Sequence, residues 1–190
     1  MITLRYATPQ DWTDTVINEM DTFLLDHAGA EKKASGMAMS MALHYADKPD
    51  IVQAMIDLSI EELDHFREVV KLMTARGLCL RKDTKDTYVN ELRRQLRNGR
   101  DHYFLDRLLV GGIIEARGAE RFGLIADALP RGSLKNFYRD ITRSEDRHRD
   151  LFINLAANYF EREEINRRVD ELLDFEAELV RGLPHRPALH

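Results

Sequence analysis

The sequence predicts an all-α protein: a bundle of four long helices with one long crossover that carries an extra short helix, plus an additional C-terminal helix. Three observations lead there. Apolar residues recur at alternating three- and four-residue spacing through almost every segment. Strand-like alternation is absent. Gly and Pro punctuation leaves four stretches of about 25 to 35 residues, the second and third separated by about 24 residues.

Each element has its own signals. Thr8-Pro9 offers an N-cap and a first-turn proline, opening a helical region to about Ala46 that is expected to break near the middle of its first half. Lys48-Pro49 starts the second long helix, and Gly77 ends it after Arg76. Residues 77–85 read as a polar loop, followed by a short helix from about Asp86 to Asn98 that stops at Gly99. The third long helix spans about Asp101 to Leu129 and is closed by Pro130-Arg131-Gly132. Ser133 reads as the N-cap of the fourth, which reaches about Phe160. A charged helix over about 162–181 follows, and the tail of about 182–190 reads as irregular. Two helix pairs joined by one long connection make the ferritin-like variant of the four-helix bundle. At 190 residues, a single domain over 1–190 is expected.

Composition narrows the function classes. The chain is 44% hydrophobic and 32% charged, with a formal net charge of -5 that argues against general nucleic-acid affinity. Cys79 is the single cysteine, so an intrachain disulfide, a CxxC redox pair and a thiolate zinc site are all excluded, in keeping with a reducing cytoplasm. The opening MITLRYATPQDW lacks the apolar core of a signal peptide. The longest apolar run, Leu108 to Ile114, is too short to span a bilayer, so a cytoplasmic protein with no membrane partner is expected.

Chemistry enters where the core-facing seams contain charge. In the second long helix the seam runs Ile51, Met55, Leu58, Glu62, His65, Val69, Leu72; in the fourth it runs Leu134, Phe137, Ile141, Glu145, His148, Phe152, Leu155, Tyr159. The third helix contributes one acid, Glu115, among Phe104, Leu108, Gly111, Gly118, Phe122, Ile125 and Leu129. The first contributes Glu31 among Met20, Leu24, His27, Ala34, Ala38, Met41 and Tyr45. Glu31 precedes Glu62 by 31 residues and Glu115 precedes Glu145 by 30, and each second Glu is followed three places later by His. The two helix pairs read as copies of one half-site.

Four carboxylates buried together repel one another and lose hydration, so a cation has to accompany them. Four Glu and two His, with one Glu per helix and an i, i+3 His on two helices, is the ligand pattern of a di-iron or di-manganese carboxylate site. Oxygen-rich ligation with one imidazole per metal suits iron or manganese better than closed zinc. Either a hydrogen-bonded core position or a role behind the ligand Glu31 accounts for His27. Glu120, five residues beyond Glu115, leaves the seam and is expected to be solvated or salt-bridged. Small residues beside the single-Glu positions, Ala34, Ala38, Gly111, Gly112 and Gly118, allow either close helix packing or a cavity beside the metals.

Four segments carry a resemblance: DHAGAEKKAS (Asp26 to Ser35), EELDHF (Glu61 to Phe66), LLVGGIIEARGAERF (Leu108 to Phe122) and RSEDRH (Arg143 to His148). Together, over about residues 8–160, they resemble the bacterial tRNA 2-methylthio-N6-isopentenyladenosine hydroxylase family, MiaE. The resemblance implies a non-haem di-iron monooxygenase that hydroxylates the isopentenyl side chain of a hypermodified adenosine beside the tRNA anticodon. Glu31, Glu62, His65, Glu115, Glu145 and His148 would then hold two Fe ions, with O2 as co-substrate. The chain departs from the family pattern at Ala30 and Ala119, where cysteine is common, and at Gly29 and Gly118, where a polar residue is common. None of these is an expected ligand. Neither a dinucleotide-binding glycine motif nor a cysteine cluster is present, so electrons would come from a separate reductase or ferredoxin.

For a tRNA partner the best basic segment is Arg81 to Arg100, with seven cations (Arg81, Lys82, Lys85, Arg93, Arg94, Arg97, Arg100) against Asp83, Asp86 and Glu91. Arg93, Arg97 and Arg100 fall near one helical face and are the candidate phosphate contacts; an ordinary solvated helix accounts for the same charges. Lys32, Lys33, Arg117 and Arg121 flank ligands, at a pocket mouth or in outer-face salt bridges. Two alternatives share the ligand set: a ferroxidase or iron-binding protein, which needs no substrate pocket, and a di-iron hydroxylase of another small apolar substrate.

Overall fold

The computed structural model describes residues 2–82 and 84–190, so Asp83 of the basic segment lies outside the described residues. Among the described residues there are seven helices and no strand: α1 Gln10–Asn18, α2 Met20–His44, α3 Pro49–Ala75, α4 Thr87–Arg93, α5 Arg100–Ala128, α6 Ser133–Ala157 and α7 Arg162–Gly182. The expected break in the first helical region falls at Glu19, where φ -122° and ψ 41° leave the helical range. The helices group into two compact units. One contains residues 18–85 and 187–189; the other contains 2–17, 86–186 and 190.

The first unit is the α2/α3 hairpin. Pro49 occupies the first turn of α3, where its missing N–H costs nothing. At the far end Gly77, at φ 72°, sets the left-handed turn in which Leu78 N donates to Met73 O (2.9 Å) and Gly77 N to Thr74 O (3.0 Å), the paired bonds of a Schellman stop. Leu24, Ala38 and Met41 of α2 and Ile51, Met55 and Val69 of α3 are buried, as the seam requires; Phe23 and Met73 beside the seam are buried too, whereas the seam residue Leu72 is half-buried. In the middle of the hairpin the polar groups are reciprocally satisfied: Ser35 Oγ donates to Ser59 O (2.8 Å) and Ser59 Oγ to Ser35 O (3.0 Å). The connection beyond Gly77 leaves Cys79 exposed.

The second unit is built on the α5/α6 hairpin. Its core is formed by Phe104, Leu108, Ile113, Phe122 and Ile125 of α5 with Tyr138, Ile141, Phe152 and Leu155 of α6, while α7 adds Ile165, Val169, Leu172 and Leu173. Gly132, rather than Ser133, is the N-cap of α6, and Lys135 Nζ closes the end of α5 by donating to Asp127 O (3.1 Å) and Leu129 O (2.9 Å). The short helix begins where expected, with Asp86 accepting from Val89 N at 2.9 Å, but it ends at Arg93. The next residues instead anchor on buried Asp106. Arg97 donates to it from backbone N (2.8 Å) and Nη2 (2.8 Å), and Arg168 of α7 from Nε (2.9 Å) and Nη2 (3.0 Å). Burial would raise the Asp106 pKa; hydrogen bonds from Arg97 and Arg168 outweigh it and hold the carboxyl below its ordinary value.

Thr8 does not cap α1. Its N donates to Glu120 Oε1 and its Oγ1 to Glu120 Oε2, both at 2.7 Å, and so it joins the N-terminal segment to α5. Glu120 is thus salt-bridged, with Arg117 as partner. Arg117 and Arg121 lie neither at a pocket mouth nor on an outer face, because both are buried. Arg117 reaches Glu176 of α7 through Nε (2.8 Å) and Nη2 (3.0 Å), and Tyr88 OH donates to the same Glu176 (3.0 Å). Burial alone would lower the Arg117 pKa, but the Glu176 hydrogen bonds and charge drive it up. For Arg121, burial, with Arg117 beside it, pushes the pKa down to about 10, and its guanidinium lies 4.8 Å over the Trp12 ring.

Candidate metal centre

The α2/α3 unit holds one half-site. Glu31 projects from α2, and Glu62 and His65 from successive turns of α3, so the i, i+3 spacing puts the last two on one face. One ligand atom from each of the three lies within 4.8 Å of the others. His65 Nδ1 is 3.4 Å from Glu62 Oε2 and 3.7 Å from Glu31 Oε2, while Glu31 Oε1 meets His27 Nε2 at 2.5 Å. Glu31 and Glu62 are 3% and 1% exposed, which in a metal-free interior is an unfavourable place for two anions.

The electrostatics register that strain. Burial would raise the Glu31 carboxyl, but interaction with the His27 ring, followed by hydrogen bonds to His65 and Glu62, holds it well below the usual carboxylate range. Burial would lower the His65 imidazole, but hydrogen bonds to Glu31 and Glu62 push it up to about 10. The pair of carboxylates therefore demands positive charge and takes it from a proton when no cation is bound.

The α5/α6 unit repeats the plan with Glu115 on α5 and Glu145 and His148 on α6, all three buried, again with a ligand atom from each within 4.8 Å. His148 Nδ1 lies 4.0 Å from Glu115 Oε2. Gly118 lies beside this half-site: a Cβ there would stand 3.4 Å from Glu145 Oε2, in ordinary van der Waals contact with the carboxylate. In each unit the donors fit one divalent ion: two carboxylates balance its charge, and imidazole Nδ1 faces the same point as the carboxylate oxygens.

All six expected ligands thus fall into two groups of three, each group assembled within its own unit. The candidate phosphate contacts fare differently: Arg93 and Arg100 are exposed, whereas Arg97 is committed to Asp106. A second basic row went unnoticed in the sequence. Arg131, Lys135, Arg139, Arg143 and Arg147 recur every fourth residue from the end of the α5–α6 connection along α6, and all but the half-exposed Lys135 are exposed. Strict four-residue spacing was the available signal. His27, left open between two roles, is fully buried and bonded to Glu31.

Comparison with known proteins places this geometry. The sequence profile of the family described as tRNA-(MS[2]IO[6]A)-hydroxylase (MiaE) matches residues 1–190. The tRNA 2-(methylsulfanyl)-N(6)-isopentenyladenosine(37) hydroxylase of Pseudomonas putida is 35% identical over 179 residues, 94% of this chain and 87% of that protein. The protein of the same name from Salmonella typhimurium is 32% identical over 158 residues, 82% of this chain; the match spans 56% of that longer relative. Among solved structures, a Synechococcus protein with aldehyde deformylating oxygenase activity superposes with a TM-score of 0.93 at 35% identity, covering 98% of this chain and 94% of that one. The fold is therefore the all-α, ferritin-like one expected from helix lengths and the crossover. With a full-length profile match and a relative at 35% identity, both on a chain bearing two Glu-plus-ExxH half-sites, the chain belongs to the tRNA-(MS[2]IO[6]A)-hydroxylase (MiaE) family.

Proposed function

We propose that this protein is an O2-dependent di-iron hydroxylase of the isopentenyl side chain of 2-methylthio-N6-isopentenyladenosine at tRNA position 37, the nucleoside named for its relatives. The observation that carries the reading is the doubled half-site, in which a buried Glu faces a buried Glu and an i, i+3 His in each unit. In this reading Glu31, Glu62 and His65 of one unit and Glu115, Glu145 and His148 of the other hold two irons. A bound pair of ferrous ions supplies the activation of dioxygen needed to hydroxylate a methyl group. The chain's own part is to balance charge with four carboxylates, to present imidazole Nδ1 atoms at fixed positions, and to exclude water with seam residues such as Met55, Leu108, Phe122 and Phe152.

The electrons come from a separate reductase or ferredoxin, and the location is the cytoplasm, where tRNA is modified. No helix among the described residues is long and apolar enough to cross a membrane. For tRNA contact, exposed Arg93 and Arg100 remain candidates, with Arg97 fixing the segment that carries them. Over its helical members, Lys135 to Arg147, the α6 row extends the basic surface by roughly 18 Å, at 1.5 Å of rise per residue, on the helix that bears Glu145 and His148.

Mass spectrometry of tRNA nucleosides tests the assignment. Deleting the gene abolishes the hydroxylated nucleoside, the intact gene restores it, and Glu115→Ala does not. Unchanged nucleosides on deletion would remove the tRNA substrate while leaving the metal centre to be tested by iron content.

A further inference from the structure

The half-sites share a ligand plan but differ one helical turn away from it. Glu31 corresponds to Glu115, and the pair Glu62 and His65 to Glu145 and His148. Four residues before the lone glutamate stands His27 in one unit and Gly111 in the other. Four residues after the ligand histidine stands Val69 in one and Phe152 in the other. A Cβ on Gly111 would lie 2.8 Å from Phe152 Cε1, so the phenyl ring fills the space that a side chain at 111 would need. In the α2/α3 unit the bulk comes instead from His27, and α3 supplies the smaller Val69; both are fully buried.

The exchange is chemical as well as steric. His27 Nε2 lies 2.5 Å from Glu31 Oε1, leaving Oε2 as the oxygen that faces His65 Nδ1 at 3.7 Å. Glu115 has Gly111 at the corresponding position, and His148 Nδ1 stands 4.0 Å from its Oε2. We propose that His27 is a positioning residue that engages one oxygen of Glu31, confines this ligand to single-oxygen binding and so makes the two metal positions inequivalent. Glu115, with Gly111 at the corresponding position, would keep both oxygens available to a metal. The proposal rests on the two-metal reading above.

The test uses the full chain loaded anaerobically with ⁵⁷Fe(II). Binding is followed by calorimetry, each iron environment by Mössbauer spectroscopy, and folding by thermal unfolding of the metal-free protein. Three variants are compared with the parent: His27→Phe, which keeps a ring and loses the nitrogen; His27→Gln, which keeps a donor; and His27→Ala, which decides the matter if the phenyl ring prevents folding. The expected result is two irons per chain with two distinct doublets in the parent. In His27→Phe or His27→Ala one doublet is displaced while the other stays, and one binding step is weakened about 10- to 100-fold. His27→Gln is expected to return both toward the parent values. Unaltered doublets and affinities in the Phe and Ala variants would overturn the proposal, as would equal weakening of both sites with loss of metal-free stability, which marks a packing residue. Failure of the parent to bind two irons would instead overturn the underlying two-metal reading.

Discussion

His65 behaves as a proton-holding stand-in for a cation in the metal-free protein, and this sets a pH dependence with a definite sign. Its folded pKa, about 10, lies above the roughly 6.5 of an unfolded histidine. A raised histidine pKa contributes stability that is fully present below the unfolded value and is lost as pH rises through the folded one. Metal-free protein should therefore lose on the order of a few kcal/mol between about pH 6.5 and 10. His65→Gln should flatten that slope, as urea unfolding midpoints across the range would show. Elsewhere, Arg117 and Glu176 form a fully buried ion pair, so Arg117→Met leaves the Glu176 carboxylate in the core without its guanidinium, with Tyr88 OH still donating to it. We expect a loss of about 3–5 kcal/mol. Adding Glu176→Gln should restore part of it, measured by the same unfolding method. A double variant no more stable than the single one would contradict this account.

At the scale of the helix, the α5/α6 hairpin depends on a glycine opposite a ring. Gly111→Ala places a methyl group 2.8 Å from Phe152 Cε1 and should destabilise the protein by about 1–3 kcal/mol. Phe152→Leu in the same chain should relieve most of that, which differential scanning calorimetry can resolve. The helices themselves were legible because the seams alternate threes and fours: α3, α5, α6 and α7 begin and end within a few residues of expectation. One boundary was not: α4 stops at Arg93, and Arg97 and Arg168 converge just beyond it on Asp106, a residue nine positions further along the chain than Arg97. Local pattern carries no information about such a distant partner. Arg117 and Arg121 eluded the sequence for the same reason: Glu176 lies 59 residues beyond Arg117.

For the whole molecule, a candidate ligand set could be proposed from the sequence because each member takes an apolar residue's place in a helix seam, and charge there in a repeated pattern has few explanations. Nucleic-acid contacts were less so, since surface cations follow no such constraint. If the α6 row meets tRNA phosphates, Arg139→Glu with Arg143→Glu should weaken tRNA binding and make its salt dependence shallower by about one unit of log slope per lost contact. Iron content should stay at the parent value, and an unchanged salt slope would exclude the row. Metal loading should act on folding too: ferrous ion at a hundredfold excess over its dissociation constant should add about 2.7 kcal/mol, seen as a higher unfolding temperature. The solitary thiol at Cys79 offers a practical route to these measurements. It is solvent-accessible, no other cysteine competes for reagent, and it precedes the basic crossover. A maleimide fluorophore attached there would give a homogeneous optical reporter of substrate docking without first re-engineering the chain.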